Sequence, residues 1–318
     1  MILYFASGKY TNTLKTVLQQ WAPELRKVIK PMTYGQLWQA SELPKATYIF
    51  SDFERMTPEM RRMAAGYADQ LRPYGRVLNE PATVKSRYEL LRELHQQDVN
   101  DFQAYRIDEI PKRAAYPLFV RPENDHKGPR SELLYGPNEV TRACLELVSQ
   151  GFEYSKLIAV EFMAEVDHRG LFHRHGTHNL GGEIVPQVLT YSKDWCVKGL
   201  GVRSKEIAQE EVRYNRENPH RDQIKRVFEL AGIDYGRMDY SVIGDRIQVY
   251  EINTNPVVIF RKNELNFFYR RQIGAPFIRE YSRIMQSMDS EATGTVELDR
   301  QAIIDSVMDT TPRLADAV

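Results

Sequence analysis

Apolar residues near the N-terminus fall in short runs the length of a buried strand. "ILYFA" occupies 2–6, "TYIFSDF" begins another run at 47, and "GRVLN" a third at 75. Between them, "NTLKTVLQQW" sets Leu14, Val17, Leu18 and Trp21 at helical spacing. "TPEMRRMAAGYADQL" offers Thr57 as N-cap and Pro58 at the first helical position. Strand–helix–strand alternation without a hairpin signal predicts a parallel α/β layer over residues 1–80. The boundary falls at "NEPAT", where Pro81 interrupts.

Beyond it the pattern changes. Val84, Tyr88, Leu91 and Leu94 form a helical stripe, "YPLFV" reads as a strand running into the charged stretch "RPENDHKGPR", and a helix is expected over about 138–149. "KLIAVEFM" is a strand nearly free of charge until Glu161, and "LFHRHGTHNLGGEIVPQVLTYS" predicts two strands turning at Gly181-Gly182. The charge-dense stretch 203–221 predicts a solvated helix or lid ending before Pro219, with Arg203, Lys205 and Arg213 on a solvated face. Ile224, Val227, Phe228 and Ala231 predict an amphipathic helix closed by Gly232. After Pro256 the chain is helical again, and residues 286–318 are polar enough to predict a loosely held tail.

One hairpin carries unusual polarity. "RMDYSVIGDRIQVYEIN" is two β-rich runs around Gly244-Asp245, with Glu251 and Asn253 on one face. A two-residue loop sets Asp239 opposite Tyr250 and sends it to the other face; a three-residue loop, Gly244 to Arg246, pairs Asp239 with Glu251 and Arg237 with Asn253. The second is expected, because it clusters the polar groups and leaves Met238, Tyr240, Tyr250 and Ile252 for the opposite face. Two carboxylates directly opposite each other repel unless a cation sits between them. An all-oxygen set of Asp239, Glu251 and Asn253 suits Mg²⁺ or Mn²⁺ rather than zinc, and Mg²⁺ commonly completes its shell with phosphate oxygens. A nucleoside triphosphate is the natural partner.

Charge and cysteine usage narrow the classes. Lys+Arg and Asp+Glu both number 43, so no overall field draws the chain to nucleic acid or an anionic membrane, and any anion site is local. Cys144 lies on the apolar stripe of its helix, which predicts an inert buried thiol; far from Cys196, it forms no disulfide framework. The opening "MILYFASGKYTN" lacks a basic leader and no run approaches a membrane span, so a cytoplasmic protein without membrane partners is expected.

"RMDY" followed by "VYEINTNP" resembles the metal-binding end of the ATP-grasp superfamily, in the carboxylate–amine ligase branch of glutathione synthetase, D-alanine–D-alanine ligase and the ribosomal-protein glutamate ligases. The resemblance runs over about residues 1–285. It implies an α/β (α+β) grasp fold, with an N-terminal parallel α/β layer over 1–80, an ATP-grasp domain of two subdomains over 81–285, and the tail. It further implies that Asp239, Glu251 and Asn253 hold Mg²⁺ (or Mn²⁺) against ATP phosphates, with Arg237 on the transferred phosphoryl group. Lys85, with Arg87 as substitute, and Arg121 align with the phosphate-binding lysines; Lys127 lies in the flap. Glu161 would accept from the adenine amino group, the backbone of Phe162 and Met163 would read the ring edge, and Glu165 or Asp167 would accept the ribose hydroxyls. The sequence departs from the family at Arg121, where lysine is usual, and in a flap with only Gly128 between two prolines, beside His126, Lys127 and Arg130. Val257 also follows Pro256 where the family has glycine.

The resemblance implies an ATP-dependent ligase joining a small-molecule or peptide carboxylate to an amine through an acyl phosphate. The alternatives are a kinase of a small hydroxylated substrate, for which no general base is placeable from spacing, and a nucleotide-binding regulatory protein with little turnover. His173, His175 and His178 suggest a transition metal, but strand parity sets His178 apart, and His173, Arg174 and His175 read better as a basic wall. Ser192 lacks a placeable His–Asp relay, and Trp195 reads as packing.

Overall fold

β1 (Ile2–Ala6) is buried along its whole length and is flanked in parallel by β2 (Ile29–Thr33) and β4 (Thr47–Phe50). β5 (Val77–Leu78) completes the sheet in the order β2-β1-β4-β5. This chain fold is seen in a computed structural model that describes residues 1–125, 127–199 and 201–309. His126 of the expected flap and residues 310–318 of the expected tail lie outside the described residues.

Alternation on β1 and β4 sorts the core into two faces. Leu3, Phe5, Tyr48 and Phe50 pack with α1 (Tyr34–Gln39) and α2 (Pro58–Leu71), while Ile2, Tyr4 and Ile49 face Leu14, Val17, Leu18 and the helix Ala275–Ser287. Thr57 caps α2 by accepting from the Met60 N–H, as its sequence indicates. Leu14, Val17 and Leu18 are buried at the expected spacing, but they sit in short irregular turns over 8–21 rather than in an α-helix.

The segment expected as a loose tail is partly built into this layer. Thr295–Glu297 pairs antiparallel with β3 (Glu42–Pro44), and Val296, Leu298 and Ile303 enter the core against α2. The few apolar residues in that stretch fall where they cover the outer face of the layer, so burial outweighs its polar composition.

Two antiparallel sheets follow. β6 (Ala104–Arg106), β7 (Leu118–Pro122) and β8 (Leu157–Glu161) form one in the order β6-β8-β7. Leu118 and Val120 face α4 (Pro137–Ser149), which also buries Cys144, whose thiol burial pushes up to about 11. Phe119 and Arg121, of opposite parity, face the interior of the molecule. The other sheet, β10-β9-β11-β12, is built from β9 (Phe172–Leu180), β10 (Glu183–Ser192), β11 (Tyr235–Ile243) and β12 (Arg246–Asn253). Its back face buries Met238, Tyr240, Val249 and Ile252 against α3 (Arg87–Gln96) and α6 (Arg221–Ala231). Asn79, buried and left-handed at φ 58°, donates to Phe50 O and Tyr235 O and accepts from Asp234 and Tyr235 N–H, stitching the parallel layer to β11.

α5 (Lys205–Glu217) occupies the charge-dense stretch, but it is not solvated all round: Ile207, Ala208, Glu211 and Tyr214 are buried. Glu211 is 1% exposed, accepts from the Leu189 N–H at 3.3 Å and faces Arg203 at 3.5 Å. Burial raises its carboxyl to about 7, against the opposing pull of Arg203. The folded protein therefore holds a proton that the unfolded chain releases from about pH 4.5, and stability falls as pH rises from there to about 7. Glu211→Gln is expected to flatten that slope in thermal melts and to raise stability at pH 8 by up to about 3 kcal/mol, with no gain at pH 4. A slope unchanged in the variant refutes the assignment. Among the described residues no helix is long and apolar enough to cross a membrane.

Candidate active site

The hairpin β11–β12 turns on two residues, Gly244 and Asp245, with Ile243 opposite Arg246. That loop alone would send Asp239 to the wrong face. The register shifts at Asp239/Tyr240, so that Tyr240 pairs with Val249 and Tyr250 is passed over as a bulge. The bulge restores parity: Asp239 faces Glu251, and Arg237 faces Asn253. The expected pairs form, by a route the sequence pattern did not separate from a longer loop. The bulge also turns Tyr250 away from the core, where it was expected, into the cavity, its hydroxyl paired with Ser241 and donating to Met163 O at 3.0 Å.

That cavity, about 450 Å³, lies between the two antiparallel sheets. Phe102, Phe119, Phe162, Phe172, Trp195 and Tyr250 line one part of it; Trp195 meets Phe119 and Phe162 at ring distances of 5.4 and 5.5 Å. Trp195 thus packs as expected but also walls the cavity. Arg87, Arg121, Lys127, Arg174, Lys198, Asp239 and Glu251 line the charged part.

Each charged group is placed by a local device. Ser86 and Glu89 form a capping box at the start of α3, fixing Arg87 in its first turn. Arg121 ends β7. Gly176, in the row of Asp239 and Glu251, has no room for a side chain: a Cβ would lie 2.7 Å from Val188 and 3.6 Å from Asp239 Oδ1. At Gly128, φ 81° and the nearness of Lys198 likewise require glycine.

Asp239 is 2% exposed and bound on both oxygens. Arg237 Nε donates to Oδ1 at 2.9 Å, while Arg174 Nη1 and Arg237 Nη2 donate to Oδ2 at 2.9 and 3.2 Å. Glu251 Oε2 accepts from Arg87 at 2.7 Å and Arg121 at 3.3 Å, and Oε1 accepts from the Asn253 amide at 3.2 Å. Burial alone would raise the Glu251 carboxyl, but Arg87 and Arg121 hold it well below the ordinary carboxylate range. Burial and the like charge of Arg87 push Arg121 down to about 10. Arg87 and Arg121 are 7% and 5% exposed, and the Nε of each is buried without a hydrogen-bond partner. Four guanidinium groups thus surround two carboxylates, a surplus of two positive charges.

The other expected residues divide. Lys127, Glu161, Phe162 and Met163 line the cavity, but the Glu161 carboxylate already accepts from Gln103 N, Tyr105 OH and Ala115 N at 2.9, 2.7 and 2.8 Å. The Phe162 N–H is donated to Pro117 O. Lys85 donates to Leu230 O at 2.6 Å and does not line the cavity; its substitute Arg87 does. Glu165 is exposed, and Asp167 is held by Arg169 and the Leu171 N–H beside a separate depression on the back of β9 and β10; neither reaches the cavity. Arg174 of the basic wall reaches Asp239. His175, in contrast, stacks on Tyr240 at 4.9 Å on the back face. His178, fully buried on the front face, bonds Gln187 at 2.9 Å, and burial beside Arg237 lowers it to about 3. Among the described residues no three His, Cys, Asp or Glu side chains are arranged to hold a metal ion. Lys198 went unnoticed in the sequence; its place three residues after Trp195 was the only signal.

The parallel layer meets this site directly. Asn255 accepts from Tyr4 OH and Thr13 Oγ1 at 2.8 and 2.5 Å and donates to Tyr10 O, while Thr254 N–H donates to Glu54 at 3.2 Å. The segments leaving the C-terminal ends of β1 and β4, where the strand order of the layer reverses, are thereby docked onto the chain that follows Asn253.

No family model matches the chain, and no curated protein sequence does. Solved structures do. D-alanine–D-alanine ligase from Bacillus anthracis in complex with ATP is similar at 11% identity, with 98% of each chain covered and a TM-score of 0.50. A second structure of the same enzyme gives 12% identity, 98% and 99% coverage and a TM-score of 0.51. An ATP-grasp RimK domain protein from Sphaerobacter thermophilus gives 12%, 88% and 99%, and 0.48. The fold is shared with these D-alanine–D-alanine ligase structures: an N-terminal parallel α/β layer followed by two antiparallel sheets.

Proposed function

We propose that this chain is an ATP-dependent carboxylate–amine ligase, with ATP in the cavity between the sheets and Mg²⁺ or Mn²⁺ at Asp239, Glu251 and Asn253. The observation that carries the reading is the buried Arg87–Arg121 pair, whose Nε donors lack partners, at the charged part of a cavity otherwise walled by aromatic rings. Such a cavity suits a ligand with a flat apolar end and a polyanionic end. The ATP carried by a ligase of the same fold supports the choice of ligand.

The carboxylates and the carboxamide are hard oxygen donors that fit Mg²⁺ or Mn²⁺, once phosphate oxygens take over the arginines now bound to them. Such an ion, when bound, neutralises charge on the polyphosphate as a Lewis acid. Arg87, Arg121, Lys127 and Lys198 bind phosphate oxygens. Arg174 and Arg237 stabilise charge on the transferring phosphoryl group, and the aromatic wall keeps water from it. A substrate carboxylate, small or peptidic, attacks the γ-phosphorus and expels ADP; an amine then attacks the acyl carbon and expels phosphate. The segments docked on Thr254 and Asn255 are the place for the carboxylate substrate.

The arginine-bound carboxylates favour a second reading, a nucleotide-binding regulatory protein with little turnover. Calorimetry of ATP binding with and without Mg²⁺, followed by ADP release across panels of carboxylates and amines, separates the two. ADP release that requires both a carboxylate and an amine establishes the ligase; binding without release under any pair establishes the regulatory protein. Absence of ATP binding rejects both.

A further inference from the structure

We propose that the four arginines lock the cation site, so that nucleotide must bind before metal. The inference rests on the reading of the cavity as an ATP site. Every oxygen of the two carboxylates already accepts a hydrogen bond: Asp239 from Arg174 and Arg237, Glu251 from Arg87, Arg121 and the Asn253 amide. Asn253 presents its nitrogen, not its oxygen, to Glu251. A divalent cation entering the free protein finds no carboxylate oxygen without a donor and meets a surplus of two positive charges, in a buried setting where like charges repel strongly.

A triphosphate reverses this. It brings roughly four negative charges at neutral pH, which remove the surplus of positive charge around the carboxylates, so that a divalent cation is no longer repelled. It also offers the guanidinium groups a better set of acceptors than they now have, since Arg87 Nε and Arg121 Nε are unpartnered. Arg174, which lines the cavity, and the Arg87–Arg121 pair are the groups able to turn from carboxylate to phosphate; Arg237, two residues from Asp239 on the same strand, stays beside it. Arg87 and Arg121 also donate to the carbonyl of Asp125, and Arg87 to that of Glu123, so their turning transmits nucleotide binding to the base of the flap.

Mn²⁺ is titrated into the nucleotide-free protein and into protein preloaded with a non-hydrolysable ATP analogue. Free Mn²⁺ is read by electron paramagnetic resonance, and the Mn²⁺ held by the analogue in a protein-free control is subtracted. At least tenfold tighter binding to the loaded protein is expected, together with binding of the analogue in excess EDTA. Nucleotide-free Arg174→Gln is expected to gain Mn²⁺ affinity at least tenfold, and Arg174→Gln/Asp239→Asn to lose that gain. Equal Mn²⁺ affinity in free and loaded wild-type protein overturns the lock and needs no variant. Failure of the analogue to bind in any condition overturns the ATP-site reading instead.

Discussion

Glu251→Gln is expected to lower the melting temperature by about 10 °C at pH 7 and, unusually for a site variant, to make the protein more responsive to polyphosphate. Among the described residues Glu251 is the one carboxylate that Arg87 and Arg121 share. Without its charge, two buried guanidinium groups face each other unneutralised, and breaking a buried pair in this way costs about 3–5 kcal/mol. The sign of the pH dependence is fixed by the same contacts. The folded-state carboxyl sits below its ordinary 4.5, so its contribution is complete above that value and is lost as pH falls beneath it. The gap between wild type and variant should therefore narrow as pH falls from about 4.5 towards about 2. Tripolyphosphate or ATP in EDTA should restore more melting temperature to the variant than it adds to wild type, because it supplies the missing negative charge. A variant that melts with wild type at pH 7 shows that the arginines are not held by this carboxylate.

Much of this architecture can be read from patterning, and the parts that cannot share a cause. The strands at 2–6, 47–50 and 157–161 and the capped helix from Pro58 follow from local signals that tertiary packing reinforces. The bulge at Tyr250 has no local signature: it follows from the demand that Asp239 and Glu251 share a face while Met238 and Ile252 stay in the core. The C-terminal strand and helix escaped for the complementary reason. Val296, Leu298 and Ile303 count for little in a polar stretch until the exposed side of the parallel layer is seen to require them. At the site, Asp239, Glu251 and Asn253 converge as their spacing suggests, and Arg121 and Lys127 reach the cavity. Lys85 does not, because it closes the end of α6 instead. Glu161 shows how a polar residue at a strand end can be spent on the scaffold, since three donors from two neighbouring segments hold its carboxylate.

Asp239→Asn should abolish metal-dependent chemistry while leaving metal-free nucleotide binding within about threefold of wild type, and the split between the two is the informative result. The carboxylate faces Glu251 across the hairpin and is gripped by Arg174 and Arg237, so it is both the proposed cation ligand and the group that holds two arginines in place. Asparagine keeps the shape, but it presents one amide N–H₂ group to donors and carries no charge, so it cannot neutralise the arginines and offers a hard cation one neutral oxygen in place of a charged carboxylate. Loss of one preorganised electrostatic group in a phosphoryl-transfer site costs about 10²–10³ in rate, and loss of the ion it anchors adds to that. ADP release is therefore expected to fall at least 10²-fold. Nucleotide affinity in EDTA should hold, because Arg87, Arg121, Lys127 and Lys198 do not depend on Asp239 for their positions. Parallel loss of both properties would mean that Asp239 organises the cavity as a whole. Retention of both would place the chemistry elsewhere, and the paired carboxylates would then serve only to hold together four arginines from α3, β7, β9 and β11.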